Sequence, residues 1–119
     1  MEQINKIELR GNVGNVKTQK VGDNEAIRFS LATNYAFKGK DGTPVIETTW
    51  HNVTAWKGKG MPDFNLIEKG SLVHVTGRLR SQKFEGADKI ERQVFEVVAN
   101  KITIITTDEP VQPSMSIGL

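Results

Sequence analysis

The stretch Thr48–Lys59, TTWHNVTAWKGK, decides how the rest of the chain is read. Side chains alternate across a β-strand, so Trp50, Asn52, Thr54 and Trp56 fall on one side. His51, Val53 and Ala55 fall on the other. A face that carries Asn52 and Thr54 is a poor core face, whereas Val53 and Ala55 suit burial. Two indoles on the polar side of a strand, followed at once by Lys57 and Lys59, predict an aromatic surface beside positive charge.

Working outward, Ile4–Val13 alternates Ile7, Leu9 and Val13. Gly11 and Gly14 within that pattern predict a bulge or sharp bend, as at a barrel corner. Val16–Val21 continues extended to a turn at Gly22-Asp23-Asn24. Ala26–Thr33 sets Ile27, Phe29 and Leu31 against Arg28, Ser30 and Ala32, which is a strand. Asp41-Gly42, helped by Gly39, is a hairpin signal, and Pro44 bars a strand centre. After the tryptophan strand, Pro62 to Lys69 predicts a helix of about two turns, with Pro62 in its first turn and Gly70 at C′. So short a helix has no stability alone and must plug something.

Ser71–Leu79 is a fourth strand with a candidate bend at Gly77. A polar hairpin tip around Glu85-Gly86-Ala87-Asp88 leads into a last strand, Gln93–Thr106. Five strands with one short helix between strands 3 and 4 is the element order of an all-β OB-fold, a five-stranded Greek-key barrel. An immunoglobulin-type sandwich needs more strands and no mid-chain helix. The domain is expected over residues 1–107. Residues 108–119, with two prolines and no periodicity, are expected to form a short disordered tail.

The chain has 119 residues, no cysteine, 16 basic and 14 acidic residues. That length allows one domain with a real core. Without cysteine there is no disulfide framework and no thiolate zinc site. No apolar run reaches membrane-spanning length and no signal peptide opens the chain, so a cytoplasmic location without membrane association is expected. The balanced charge says little about partners, but nine of the basic residues lie in residues 1–60 against six acids.

Phe37, Trp50, Trp56 and Phe84 lie in polar, basic or glycine-rich surroundings. Phe37 precedes Lys38 and Lys40, and Phe84 follows Arg80 and Lys83. Such rings offer stacking platforms for bases, and the cations alongside offer phosphate contacts. The candidate phosphate set is Lys38, Lys40, Lys57, Lys59, Arg80 and Lys83, with Arg10, Arg28 and Arg78 as further candidates. An OB-fold with two projecting hairpins is expected to line one groove with all four rings. Aromatics in strands more often belong to the core, and Phe29, Phe64 and Phe95 are assigned there on their apolar patterns. Tyr35 fits either role. His51 and His74 are the only histidines, and no carboxylate spacing matches them, so neither a metal site nor a cofactor is expected. No nucleophile–base arrangement, Walker loop or paired-acid pattern is present, which argues against an enzyme.

The segments NKIELRGNVG, RFSLATN, TTWHNVTAWKGK, LIEKGSLVHVTGRLRSQKF and VANKITII, in order from Asn5 to Ile105, resemble the bacterial single-stranded DNA-binding protein family. The resemblance implies an OB-fold that wraps single-stranded DNA around a homotetramer in replication, recombination and repair, without strong sequence preference. It puts the family's stacking positions on Phe37, Trp50, Trp56 and Phe84, and its subunit-contact histidine on His51. Family members usually continue into an acidic tip that recruits replication and repair proteins. This chain ends Ser116-Ile117-Gly118-Leu119 with only Asp108 and Glu109 acidic nearby, so recruitment through such a tip is not expected. Two rival readings are a primosomal accessory OB protein, which tends to lack the four rings, and an oligomer subunit using the Trp50/Trp56 face as a protein interface.

Overall fold

Two tight ends and two long arms set the architecture. In the computed structural model, which describes residues 2–106, strand β1 (Ile7–Val21) returns through Gly22 and Asp23 into β2 (Asn24–Lys38). Gly22 takes φ +62°, a backbone state open to glycine at no steric cost. β2 then pairs without a break with β3 (Pro44–Trp56), from Ala26↔Trp56 to Lys38↔Pro44. Their tip is held by Asp41, whose Oδ1 accepts from Thr43 N at 3.1 Å and Thr43 Oγ1 at 2.6 Å. Strands β4 (Leu72–Glu85) and β5 (Glu91–Ile104) form the second long antiparallel arm.

The five strands close into a barrel in the order β1-β2-β3-β5-β4, with β4 returning to β1. This is the OB-fold. Every pairing is antiparallel except β3 with β5. That parallel seam has only two ladder pairs, Val53↔Val97 and Thr54↔Val98. A side-chain bridge reinforces it, Thr54 Oγ1 donating to Glu96 Oε2 at 2.9 Å. Thr54 is thereby buried although it shares the polar face of β3. Inside, Ile27, Leu31, Val53, Val73, Val75 and Val97 are fully enclosed. Each contributes roughly 1.5–3 kcal/mol by leaving water.

The bends expected from glycine are present. β1 shifts register between Val13 and Val16, around Gly14. β4 shifts between Thr76 and Gly77. A Cβ on Gly77 would overlap the Val98 carbonyl oxygen and stand 2.9 Å from Ala99 Cα, so the strands approach there only because the side chain is missing.

Two expectations are corrected. The helix of about two turns is a single 3₁₀ turn, Phe64–Leu66, with Asp63 Oδ1 accepting from Asn65 N at 3.0 Å. Ile67 is already extended, at φ −89° and ψ 108°. Only Phe64 and Ile67 of this segment reach the core, and one tight turn suffices to bury both. Gly70 is left-handed, at φ +92°, but serves a loop whose N–H donates to Val13 O at 2.7 Å. Phe95, assigned to the core, is 55% exposed. It alternates in phase with buried Val97 and Ala99, but it pairs with Ser81 where the arm has already left the barrel. The tail reading for residues 108–119 lies outside the described residues.

His51 sits opposite Leu31 on the core side of β3, half-buried, its Nε2 2.8 Å from Thr33 Oγ1. Burial holds its pKa below the usual imidazole value.

Two outcomes are expected. Gly77→Ala forces the β4–β5 bulge open and costs about 1–3 kcal/mol in urea denaturation. Because the folded state resists protonating His51, the unfolded chain binds more protons as pH falls below about 6.5. Stability therefore drops through that window, and His51→Gln removes part of the difference between denaturation curves at about pH 7.5 and about pH 5.5.

Candidate nucleic-acid interface

Residues paired across a sheet share a face, so the outer surface can be traced row by row. Lys17 pairs with Arg28, Arg28 with Thr54, Thr54 with Val98, and Val98 with Arg78. This row crosses all five strands. On one side of it lie Ala26 and Trp56; on the other lie Ser30 with Asn52, then Ala32 with Trp50. The two indoles stand about 20 Å apart along β3 with the row between them. Lys17, Arg28 and Arg78 are exposed and make no ion pair with any described residue. A cationic band thus passes between two aromatic posts.

Trp50 and Trp56 are 60% and 48% exposed. Trp50 leans across to β1: a Cβ on Gly14 would meet Trp50 Cζ3 at 2.7 Å and Ser30 Oγ at 2.5 Å. The bulge at Gly14 therefore leaves the shelf on which the indole rests. Ser30 Oγ also accepts from Asn15 N at 2.9 Å, which ties the shelf to β2. Phe84 pairs with Arg92, in step with Gln82↔Val94, Arg80↔Glu96 and Arg78↔Val98, and so shares the outer face with both indoles. An open depression of about 480 Å³ has Lys17, Arg28, Asn52, Gln82 and Glu96 among its walls, with Phe95 beside them.

Phe37 is placed differently. It lies five residues from Ala32, the partner of Trp50, and an odd separation in an unbroken strand reverses the side. Its ring stacks on Tyr35, centroids 6.1 Å apart and planes 28° apart. Three of the four expected rings therefore share one face, and the fourth stands on the reverse of the β2–β3 arm.

The expected phosphate contacts also divide. Lys38 and Lys40 sit at the tip of the first arm, Lys57 and Lys59 beyond the opposite end of β3. Some 40 Å of strand separates the two groups. Arg80 Nε lies 3.5 Å from Glu96 Oε1, and Lys83 Nζ 3.7 Å from Glu91 Oε1, so both start with a carboxylate beside them. Arg10 Nε donates to His74 Nδ1 at 3.2 Å, and His74 Nε2 meets Glu8 at 3.1 Å, on the β1–β4 wall. Lys17 is the residue that the reading of the sequence missed. Counting back from the Gly22-Asp23 turn pairs it with Arg28, and that signal was legible.

Among the described residues, no cluster of three or more His, Cys, Asp or Glu is placed to hold a metal ion. No helix among them is long and apolar enough to cross a membrane.

Comparison with known proteins gives the family. The model of the single-strand binding protein family matches residues 4–105. The single-stranded DNA-binding protein of Neisseria meningitidis serogroup A is 33% identical over 104 residues, covering 86% of this chain and 60% of that protein. The chain thus spans 60% of the length of that relative. The mitochondrial single-stranded DNA-binding protein of Danio rerio is 30% identical over 115 residues, covering 88% and 78%. Among solved structures, a Plasmodium falciparum SSB complex with ssDNA matches with a TM-score of 0.70 at 28% identity, over 91% of this chain and 98% of that one. A deletion mutant of the Thermus aquaticus single-stranded DNA binding protein, 22% identical, matches in fold with a TM-score of 0.71 over 88% and 52%. With the family model matching most of its length and its barrel shared with these structures, the chain belongs to the single-strand binding protein family.

Proposed function

We propose that this protein binds single-stranded DNA without strong sequence preference, as a non-enzymatic factor in replication, recombination and repair. The observation that carries the reading is the cationic row Lys17–Arg28–Arg78 running between exposed Trp50 and Trp56 on one face. Bases present a π-face whatever their identity, so stacking on Trp50, Trp56 and Phe84 gives affinity without reading base edges. Lys17 and Arg28 lie where the backbone of a strand stacked on both indoles would pass. Phe37 adds a stacking position from the far side of its arm. Lys38, Lys40, Lys57 and Lys59 extend the phosphate track at its two ends. Arg80 and Lys83 belong to the same track but contribute less, because DNA must compete with Glu96 and Glu91 for them.

The family resemblance supports assembly as a homotetramer in the cytoplasm, with His51 at a subunit contact. A face that served only as a protein interface would have to desolvate these three cations, which pair with no described residue, at a cost that only opposite charges on the partner could offset.

Intrinsic tryptophan fluorescence, titrated with oligo(dT) and with duplex DNA at rising salt, tests the reading. Quenching by the single strand alone is expected; no quenching by either would end it. Trp56→Ala should weaken binding to every sequence alike, by about 1–3 kcal/mol, or roughly 5- to 150-fold in Kd. Arg28→Gln should reduce the slope of log K against log salt by about 0.7, the value for one phosphate on a single strand. Arg80→Gln should reduce it by less.

A further inference from the structure

Tyr35 is the most exposed aromatic among the described residues, at 66%. Its ring lies on Phe37 in an offset stack, and both stand on the side of the β2–β3 arm opposite Trp50. An isolated ring at a strand surface usually packs down on its cross-strand neighbour. Tyr35 has Glu47 as that neighbour and rests on another ring instead. The result is an exposed two-ring stack, with Thr33 and Thr49 behind it and Val45 opposite Phe37.

We propose that Tyr35 is a further base-stacking residue, and that it extends the site around the tip of the arm to its reverse face. The inference rests on the single-stranded DNA reading above. Continuity is the argument for a nucleic-acid occupant. From Trp50, the same pleat side leads up the arm to Lys38, which pairs with Pro44 beside the turn. Lys40 follows within the turn, and beyond the tip the reverse side opens onto Phe37 and then Tyr35. Lys38 and Lys40 are exposed and make no ion pair with any described residue. A strand stacked on Trp50 thus has phosphate contacts where it rounds the tip and rings where it arrives. Glu47 opposes Tyr35 and repels phosphate, so it turns the backbone outward and the base toward the ring.

This geometry makes Tyr35 matter only for a strand long enough to round the arm. The test uses the full chain and its Tyr35→Ala and Tyr35→Phe variants. Each is titrated with oligo(dT) of about 10 nucleotides, within the reach of one OB-fold, and of about 40 nucleotides, well beyond it. An iodouracil-substituted long oligonucleotide is photocrosslinked in parallel. Tyr35→Ala is expected to weaken the long oligonucleotide by roughly 5- to 150-fold and leave the short one unchanged, while Tyr35→Phe binds both normally. The crosslink should map to Tyr35. Unchanged long-strand affinity in Tyr35→Ala, with wild-type tryptophan quenching intact, would overturn this inference alone. So would a changed oligomeric mass at unchanged affinity, which would assign the rings to a protein contact. Absence of quenching in the wild type would instead remove the parent reading, and this inference with it.

Discussion

The barrel depends on a seam of two residue pairs. Four of its five junctions are long antiparallel ladders, each supplied by strands that meet through turns or along the length of β1. The fifth joins β3 to β5 in parallel over Val53↔Val97 and Thr54↔Val98 alone. Backbone bonds this few leave the closure to side chains. Val53 and Val97 meet inside, in the core, and Thr54 and Glu96 meet outside, across a 2.9 Å hydrogen bond. Without that seam the barrel would open into a single sheet with one arm at each edge, and the row from Lys17 to Arg78 would be cut in its middle.

The seam also puts structural groups on the surface proposed to bind DNA. Thr54 and Glu96 occupy the centre of the outer face, where a carboxylate is unwelcome to phosphate. Glu96 is held by Thr54 and lies beside Arg80, so its charge is matched locally rather than facing the groove. Net attraction for a polyanion then comes from the cations left over, Lys17, Arg28 and Arg78 in the row and the lysines at either end of β3. A modest overall charge of +2 conceals this, because it sums over the whole surface rather than over this face.

Much of this was legible in the sequence, and most of the misses concern where a residue stands relative to the barrel. The alternation in Thr48–Lys59 assigned the faces of β3 correctly, from the exposed indoles to buried Val53 and Ala55. The glycines at 14 and 77 marked real bulges. The failures arose where an alternation was read without knowing where its strand leaves the barrel. Phe95 keeps phase with Val97, but the core ends between them. Thr54 keeps phase with Asn52, but a neighbouring strand covers it. Phe37 was grouped with Trp50 by composition, although their register separates them. The 3₁₀ turn was over-read as a helix because Pro62 and Gly70 are proper end signals, and nothing local says how much chain the plug requires.

The contact between Gly14 and Trp50 has a consequence for how such a surface is mapped. Scans that truncate side chains find residues by what they delete, and Gly14 has nothing to delete. Yet a single methyl there would push against the indole and Ser30 together, tilting the ring off its shelf. The pose of the most exposed tryptophan is thus governed by an empty position on a different strand. Tolerance to substitution on this face is set by the space reserved beneath the rings as much as by the rings themselves.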